Sequence, residues 1–498
     1  MNPCSRCNIR FRVKDMKINT GGTLVAILNK KDAKSLDVRH EDRVKLNYKR
    51  KEVIVVLDIS ESRRAVPEGE IGLFEEVLSK LGVHQGDTIE LELTTKPESV
   101  SYIRDKLSGR KLGYHELYSI VDDIVHDRLT MVEKTYFVSG TYTAGLDMGE
   151  IVHLTKAIVG TGQKLSFGKP VFDKHCIGGV PANRTSMIIV PIVAAAGLTM
   201  QKTSSRAITS PAGTADTMEV LANVTLSIPH LKRVVKRTRG CIVWGGAMNL
   251  APADDKIIEV EHPLALDAEG QMLASVMAKK ASVGATHVLI DIPYGKRAKC
   301  ASVKEALHLE HLFRDVARRL GMKARVILTN GSQPVGKGIG PVLEARDVLH
   351  VLQNDPQAPR DLREKSLRMA GMILEMRGMK NGLEEARRIL SSGEAWTKMH
   401  QIIRAQGEQE KHVNAGNFHL DVRSKNKGVV EDLNNEAINR IARAVGAPDD
   451  KGAGIYLEKK CGERVKKGET LFTIYSESDF KLKYGLDVMK KMWVCRVR

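Results

Sequence analysis

Lys174-His175-Cys176-Ile177-Gly178-Gly179-Val180, followed by Asn183-Arg184-Thr185-Ser186, is a glycine- and hydroxyl-rich loop that runs into an apolar stretch at 187–197 with helical character. A second loop of the same composition follows: Ser204-Ser205-Arg206-Ala207-Ile208-Thr209-Ser210, then Ala212-Gly213-Thr214-Ala215-Asp216, then Met218-Glu219-Val220-Leu221. Such loops bring backbone N–H groups and the positive end of a helix dipole against an oxyanion. Glycine permits close approach, hydroxyls donate hydrogen bonds, and Lys174 and Arg206 add charge. Neither loop contains G-x-x-x-x-G-K-[ST] or G-x-G-x-x-G, so the common nucleoside-triphosphate and dinucleotide signatures are absent. Two loops this close point to orthophosphate, or to a substrate carrying several phosphates.

Outward from these loops, residues 170–343 alternate strands and helices. Residues 286–293 and 324–329 read as short apolar strands, and 264–281 and 303–320 as helices. In such α/β layers ligands sit at the carboxyl ends of the strands. Helical patterning covers 100–162, including Gly113-Tyr-His-Glu-Leu-Tyr-Ser-Ile-Val-Asp-Asp-Ile-Val-His126, and resumes to position 404. The first 95 residues are β-rich and carry one phrase twice, Leu36-Asp-Val-Arg-His-Glu-Asp-Arg-Val-Lys-Leu46 and Leu81-Gly-Val-His-Gln-Gly-Asp-Thr-Ile-Glu-Leu91. That repeat predicts a small pseudo-twofold barrel of the double-psi kind, serving assembly or positioning. From 412 strands and turns return, and residues 461–474 read as a hairpin of the lipoyl or biotinyl sort with Lys466-Lys467 in its turn. The fold expected is multidomain α/β: a barrel (1–95), a helical domain (100–168), a catalytic α/β domain (169–345), its helical continuation (346–411) and a C-terminal α+β domain (412–498).

The 498 residues exceed one compact domain, and 42% apolar content suffices for several cores. Seven scattered cysteines point to reduced thiols in a cytoplasmic protein. Cys4-x-x-Cys7 is half of a zinc pattern, with no second pair at suitable spacing, so no metal is expected. No apolar run approaches the roughly 20 residues of a membrane span, and residues 1–17 lack the apolar core of a signal peptide. The net charge of +18 would suit nucleic acid, but the cations interleave with acids and aromatics are 4%, so no stacking platform is evident. The same charge steers small anions.

Lys-His-x-x-Gly-Gly-Val, followed by Ser-x-Arg-x-x-x-x-x-x-Gly-Thr-x-Asp-x-x-Glu, resembles the thymidine/pyrimidine-nucleoside phosphorylase family. Ser-Ser-Arg-Ala-Ile-Thr-Ser and Trp244-Gly-Gly-Ala-Met-Asn-Leu-Ala-Pro-Ala-Asp-Asp255 are most similar to its archaeal AMP phosphorylase branch. The resemblance implies that Lys174, Ser186, Ser204 and Thr214 bind phosphate. It implies nucleotide binding by Gly179, Ser205, Arg206, Ala207, Ile208, Thr209, Ser210, Thr214, Ser275 and Lys299. Asp267 then protonates the leaving base, with His175 or water as the alternative donor. The implied reaction is phosphorolysis of AMP, and of CMP and UMP, to the base and ribose 1,5-bisphosphate, which would feed an isomerase and an archaeal-type RuBisCO. Orthophosphate is the co-substrate and no cofactor is implied, because phosphate itself is the nucleophile.

Two departures stand out. The family's Lys-His-Ser is Lys-His-Cys176 here, which removes a strong hydroxyl donor. Pyrimidine nucleoside phosphorylases carry an Arg about fifteen residues before the Ser that Ser275 matches, whereas Ile258-Glu259-Val260-Glu261 has none. Lys296, Arg297 and Lys299 offer cations for a 5′-phosphate instead. A uridine or thymidine phosphorylase, and a basic RNA-binding protein on this scaffold, are the alternatives. The family dimerises through its helical domain, so a homodimer or larger homo-oligomer is expected, with no nucleic-acid or membrane partner. If the barrel joins dimers, deleting residues 1–85 shrinks the particle in light scattering and leaves phosphate binding intact; an unchanged mass excludes that role.

Overall fold

The computed structural model describes residues 9–498 apart from positions 23, 169, 208, 209, 265, 267 and 410–413. Cys4, Cys7, Ile208, Thr209 and Asp267 lie outside the described residues. The chain divides into two compact units, Met1–Gly145 with Lys256–Leu266, and Leu146–Asp255 with Asp267–Arg498.

The first unit opens with β1 (Ile9–Asp15), β2 (Val25–Asn29), α1 (Lys30–Ser35), β3 (Arg43–Tyr48), β4 (Lys51–Ser60), β5 (Glu70–Leu73), α2 (Glu75–Leu81) and β6 (Thr88–Leu93). Period-2 alternation sends Val44, Leu46, Leu57, Ile71, Ile89 and Leu91 inward, and the six strands close into a barrel in the order β1-β5-β2-β4-β3-β6. The repeated phrase is the helix–turn–strand of each half, α1 to β3 and α2 to β6. Both turns are closed alike: Asp42 Oδ2 accepts from the Arg39 N–H at 2.7 Å and Asp87 Oδ2 from the His84 N–H at 2.9 Å. Exchanging β1, β2 and β3 for β4, β5 and β6 reproduces the barrel order, and both neighbours of every strand come from the other half. Three helices follow, α3 (Ser99–Leu107), α4 (Tyr114–Val125) and α5 (Met131–Thr143), with α3 packed on the other two. Thr130 and Glu133 form a capping box at the start of α5.

The second unit begins with α6 (Met148–Thr161), which packs on α11 (Glu269–Ser282), so the division falls inside the helical segment expected at 100–168. Between these come β7 (Phe172–Cys176), α7 (Thr185–Ala195), β8 (Met200–Ser204), α8 (Thr214–Glu219), α9 (Ile228–Thr238), β9 (Gly240–Trp244) and α10 (Pro252–Leu264), whose residues from Lys256 onward belong to the first unit. After α11 follow β10 (His287–Tyr294), α12 (Val303–Arg319) and β11 (Lys323–Asn330). β7 and β11 flank β10 and β8 pairs with β9, all in parallel; the Val171–Thr199 bridge joins the two groups. α7 is buried over Thr185–Ala194, which explains why its sequence is apolar on every face.

Next come β12 (Gly338–Ile339), α13 (Pro341–Leu352), α14 (Arg360–Met376), α15 (Gly382–Ser391) and α16 (Glu394–Gln406), of which α14, α15 and α16 cover α7. The C-terminal segment holds β13 (Phe418–Arg423), β14 (Gly428–Leu433), α17 (Asn435–Ala444), β15 (Gly454–Leu457), β16 (Arg464–Val465), β17 (Thr470–Ser476), α18 (Asp479–Lys490) and β18 (Cys495–Val497). The hairpin expected at 461–474 is not one: β16 pairs with β14, whereas β17 pairs with β13 and β15. Lys466 and Lys467 therefore sit in a corner between two sheets, because each strand finds its partners elsewhere in the C-terminal domain.

α14 and α15 cross through glycines. A Cβ at Gly371 would lie 2.6 Å from Leu383 Cα, and one at Gly382 would lie 2.2 Å from the Gly371 carbonyl oxygen. Overpacking costs about 1–3 kcal/mol, and alanine's better helix propensity offsets about 1 kcal/mol. Because the Gly371 Cβ would meet backbone atoms, the cost lies at the upper end of that range, and Gly371→Ala should lower the unfolding free energy in urea by about 2 kcal/mol; an unchanged midpoint would show that the helices separate at no cost.

Candidate functional site

β7, β8 and β10 deliver their loops to one edge, the carboxyl edge of a parallel sheet. Lys174 on β7 is buried, and its Nζ donates to Thr185 Oγ1, the first residue of α7, at 2.9 Å. Asp291 on β10 lies 3.7 Å from that Nζ. Burial lowers the Lys174 pKa, while the nearby Asp291 carboxylate opposes the shift. Burial pushes the Cys176 thiol pKa up, and its Sγ accepts from Asn183 Nδ2 at 3.2 Å. The departure from serine thus leaves an un-ionised thiol facing a polar neighbour.

The first loop needs its glycines. Gly178 and Gly179 have φ of 96° and 84°, and a Cβ on Gly179 would lie 2.7 Å from the Lys299 backbone nitrogen. Gly179 and Lys299, far apart in sequence, are thereby brought into contact. Ser186 is buried in the first turn of α7, and Ser204 is half-buried at the end of β8.

Arg184 locks the two loops together. Its guanidinium donates to Thr214 Oγ1 at 3.0 Å and to the Ala212 carbonyl at 2.7 Å, while its Nε bonds Glu344 on α13. Glu344 is buried, which raises its pKa; Arg184, the Gly340 N–H and Thr217 act in the opposite direction. Neither Arg184 nor Glu344 carried a role in the sequence reading.

The second loop differs from expectation. α8 is six residues long, and Asp216 Oδ2 accepts from the N–H groups of Ala207 (2.7 Å) and Gly213 (2.8 Å). Those donors are spent on an internal cap rather than left for a ligand. Arg206 is likewise occupied, with a bidentate pair to Glu219 at 2.7 and 2.6 Å and its guanidinium over the Trp244 ring at 4.8 Å. Lys451 joins Glu219 at 2.9 Å, and these hydrogen bonds hold the Glu219 pKa down to about 2 against partial burial. Ser205 is exposed, Ala207 is half-buried, and Ser210 donates to the Ala212 carbonyl at 3.0 Å.

The cation cluster after β10 divides. Arg297 pairs with Asp432 through both terminal nitrogens at 3.0 Å and stacks on Trp493 at 4.6 Å, and Lys296 also reaches Asp432. These two residues dock the C-terminal domain. Lys299 is exposed and lies beside Gly179. Ser275 is half-buried on α11, one turn before Lys279, which pairs with Asp254 at 2.6 Å.

Lysines crowd around His175. Burial and the charges of Lys280, Lys202, Lys279 and Lys174 take its pKa well below the usual imidazole value, so the ring is uncharged at neutral pH and is a poor proton donor. Lys280 pairs with buried Asp173 at 2.5 Å. Burial and Lys280 lower the Lys202 pKa to about 7. Cations gathered at a strand edge form a field suited to an anion.

Comparison with known proteins agrees with this architecture. The glycosyl transferase family helical bundle domain matches residues 100–162 and that family's a/b domain matches 168–289, while the pyrimidine nucleoside phosphorylase C-terminal domain matches 429–495. An anthranilate phosphoribosyltransferase from Thermus thermophilus shares the fold, with a TM-score of 0.53 at 17% identity over 61% of this chain and 98% of its own. AMP phosphorylase 1 of Archaeoglobus fulgidus is 46% identical over 94% of this chain and 93% of its own length. An AMP phosphorylase of Methanocaldococcus jannaschii is 43% identical over 98% and 97%. A putative thymidine phosphorylase of Methylococcus capsulatus is 46% identical over 87% and 85%. The chain belongs to the thymidine/pyrimidine-nucleoside phosphorylase family, with AMP phosphorylases among its near relatives.

Proposed function

We propose that this protein is a pentosyltransferase that catalyses reversible phosphorolysis of AMP, with CMP and UMP as further substrates, giving the free base and ribose 1,5-bisphosphate. The observation that carries the reading is the excess of cations at the sheet edge: Lys174, Lys202, Lys279, Lys280 and Lys365 stand against Asp173, Asp254 and Asp291. A nucleoside phosphorylase has one anion to accommodate, orthophosphate. A nucleotide phosphorylase has two, and the surplus suits the second. Similarity to two archaeal AMP phosphorylases over nearly the full length supports the same reading.

In this reading Lys174, Ser186, Ser204 and Thr214 hold orthophosphate, while Gly179, Thr214, Ser275, Lys299 and the 205–210 loop hold the nucleotide. A phosphate oxygen attacks C1′ as the C1′–N bond breaks, and the bonding pair leaves on the base nitrogen, which takes a proton from Asp267. Positioning and charge supply the rate, with no cofactor needed. The neutral state of His175 supports Asp267 over His175 as the donor. A phosphorylase acting on uridine or thymidine is the second reading, favoured by the putative thymidine phosphorylase at 46% identity. The absence of an Arg in Ile258-Glu259-Val260-Glu261 weighs against it.

Purified protein should cleave AMP in orthophosphate faster than adenosine, uridine or thymidine, with ribose 1,5-bisphosphate identified by mass. Faster turnover of either pyrimidine nucleoside would establish the second reading instead. Asp267→Asn should lower kcat for AMP by about 10²–10⁴-fold, the usual contribution of a general acid, with little change in either KM. The defect should shrink on a nucleotide whose base departs readily as an anion; equal defects on both substrates would remove Asp267 from the proton transfer.

A further inference from the structure

Asp291 is fully buried, and its Oδ2 meets two ammonium groups at unequal range. Lys365 Nζ, from α14, lies at 3.0 Å, and Lys174 Nζ lies at 3.7 Å. Asn183 Nδ2 donates to the same oxygen at 3.3 Å, and Thr329 Oγ1 donates to Oδ1 at 2.7 Å. Lys174 meanwhile gives its hydrogen bond to the neutral Thr185 hydroxyl. One carboxylate is thus shared by two cations, and the nearer one is not the residue that meets phosphate.

We propose that Lys365 is a positioning residue for orthophosphate: by engaging Asp291 it keeps that carboxylate from closing on Lys174, whose charge stays available to the incoming oxyanion. The inference rests on the assignment of Lys174 to phosphate. Its physical basis is competition in a low-dielectric site. A buried carboxylate with a single cationic neighbour closes into a contact pair and neutralises it, whereas one flanked by two cations cannot neutralise both. Asp291 remains necessary, because without it Lys174 and Lys365 would face each other as unscreened like charges. Burial favours its neutral form, but the two lysines and the Thr329 hydroxyl outweigh that and hold its pKa below the usual carboxylate range, so it stays charged.

The test compares Lys365→Met, Lys365→Met/Asp291→Asn and Lys174→Ala in the full-length protein, by steady-state kinetics and by calorimetric titration with inorganic phosphate. Lys365→Met should raise the KM for orthophosphate about tenfold, the equivalent of one charge-assisted contact, and leave the KM for AMP nearly unchanged. Adding Asp291→Asn should recover most of that loss, because an amide of the same shape has no charge with which to capture Lys174. A purely structural role would also be relieved by removing the stranded Asp291 charge, but it would lower stability and disturb both KM values together, whereas the positioning role moves the phosphate KM alone. An unchanged phosphate KM in Lys365→Met, or a double variant no better than the single one, overturns the inference. If circular dichroism shows Lys365→Met unfolded, Lys365→Gln with the same partner substitution gives the same comparison. Lys174→Ala separates the two levels: an unchanged phosphate affinity there would sink the phosphate-site reading itself.

Discussion

Placing ammonium groups out of water is the constraint on which the rest of this structure depends. A buried lysine without a partner loses its proton or its place, so each cation near the sheet edge needs a carboxylate that does not fully cancel it. Asp173 serves Lys280, Asp254 serves Lys279, and Asp291 serves both Lys365 and Lys174. Two of these acids lie on adjacent parallel strands, β7 and β10, whose register pairs Asp173 with Val288 and Asp291 with Cys176. That register puts the two acids on opposite faces of the sheet, so α11 can satisfy one with Lys280 and α14 the other with Lys365. The fold is therefore a means of bringing compensating charge to both faces of one pair of adjacent strands.

The same logic governs the loops. Glycine and hydroxyl content makes them flexible enough to approach an anion, and flexibility is a liability in a site that must be formed beforehand. Arg184 supplies the stiffness by bridging both loops to Glu344, and Asp216 stiffens the second loop from within. Lys451 and Asp432 bring the C-terminal domain into the same framework, through Glu219 and through Arg297. The C-terminal domain thus braces the second loop and the segment after β10 from outside.

What the sequence revealed was local: loop composition, helix and strand periods, and a repeated phrase whose two copies sit at matching places in the barrel. What it concealed was long-range. Arg184 and Glu344 are 160 positions apart, and Asn183 and Asp291 are 108 apart, so no pattern within one segment announces either pair. Arg206, Lys296 and Arg297 read as free cations because their carboxylates come from other segments or sit a helical turn beyond the loop. Glu219 is thirteen residues from Arg206, yet the pair was legible only once α8 proved to be a single short helix. The corner at Lys466 was misjudged for a related reason, since strand content is visible in one segment and strand partnership is not.

The alternation of halves around the N-terminal barrel has a consequence for how that domain comes into being. Because both neighbours of each strand belong to the opposite half, neither half possesses a backbone ladder of its own. A nascent chain that has emerged only through β3 has three strands and no partner among them for any N–H or C=O. Apart from the β3–β4 turn, every pairing must close a long loop before it gains a hydrogen bond. Closing the barrel therefore carries a loop-closure cost that helices, whose bonds complete within one turn, do not meet. Until the barrel closes, its exposed strands depend on their interleaved Lys, Arg and Glu residues to keep them from pairing with another chain.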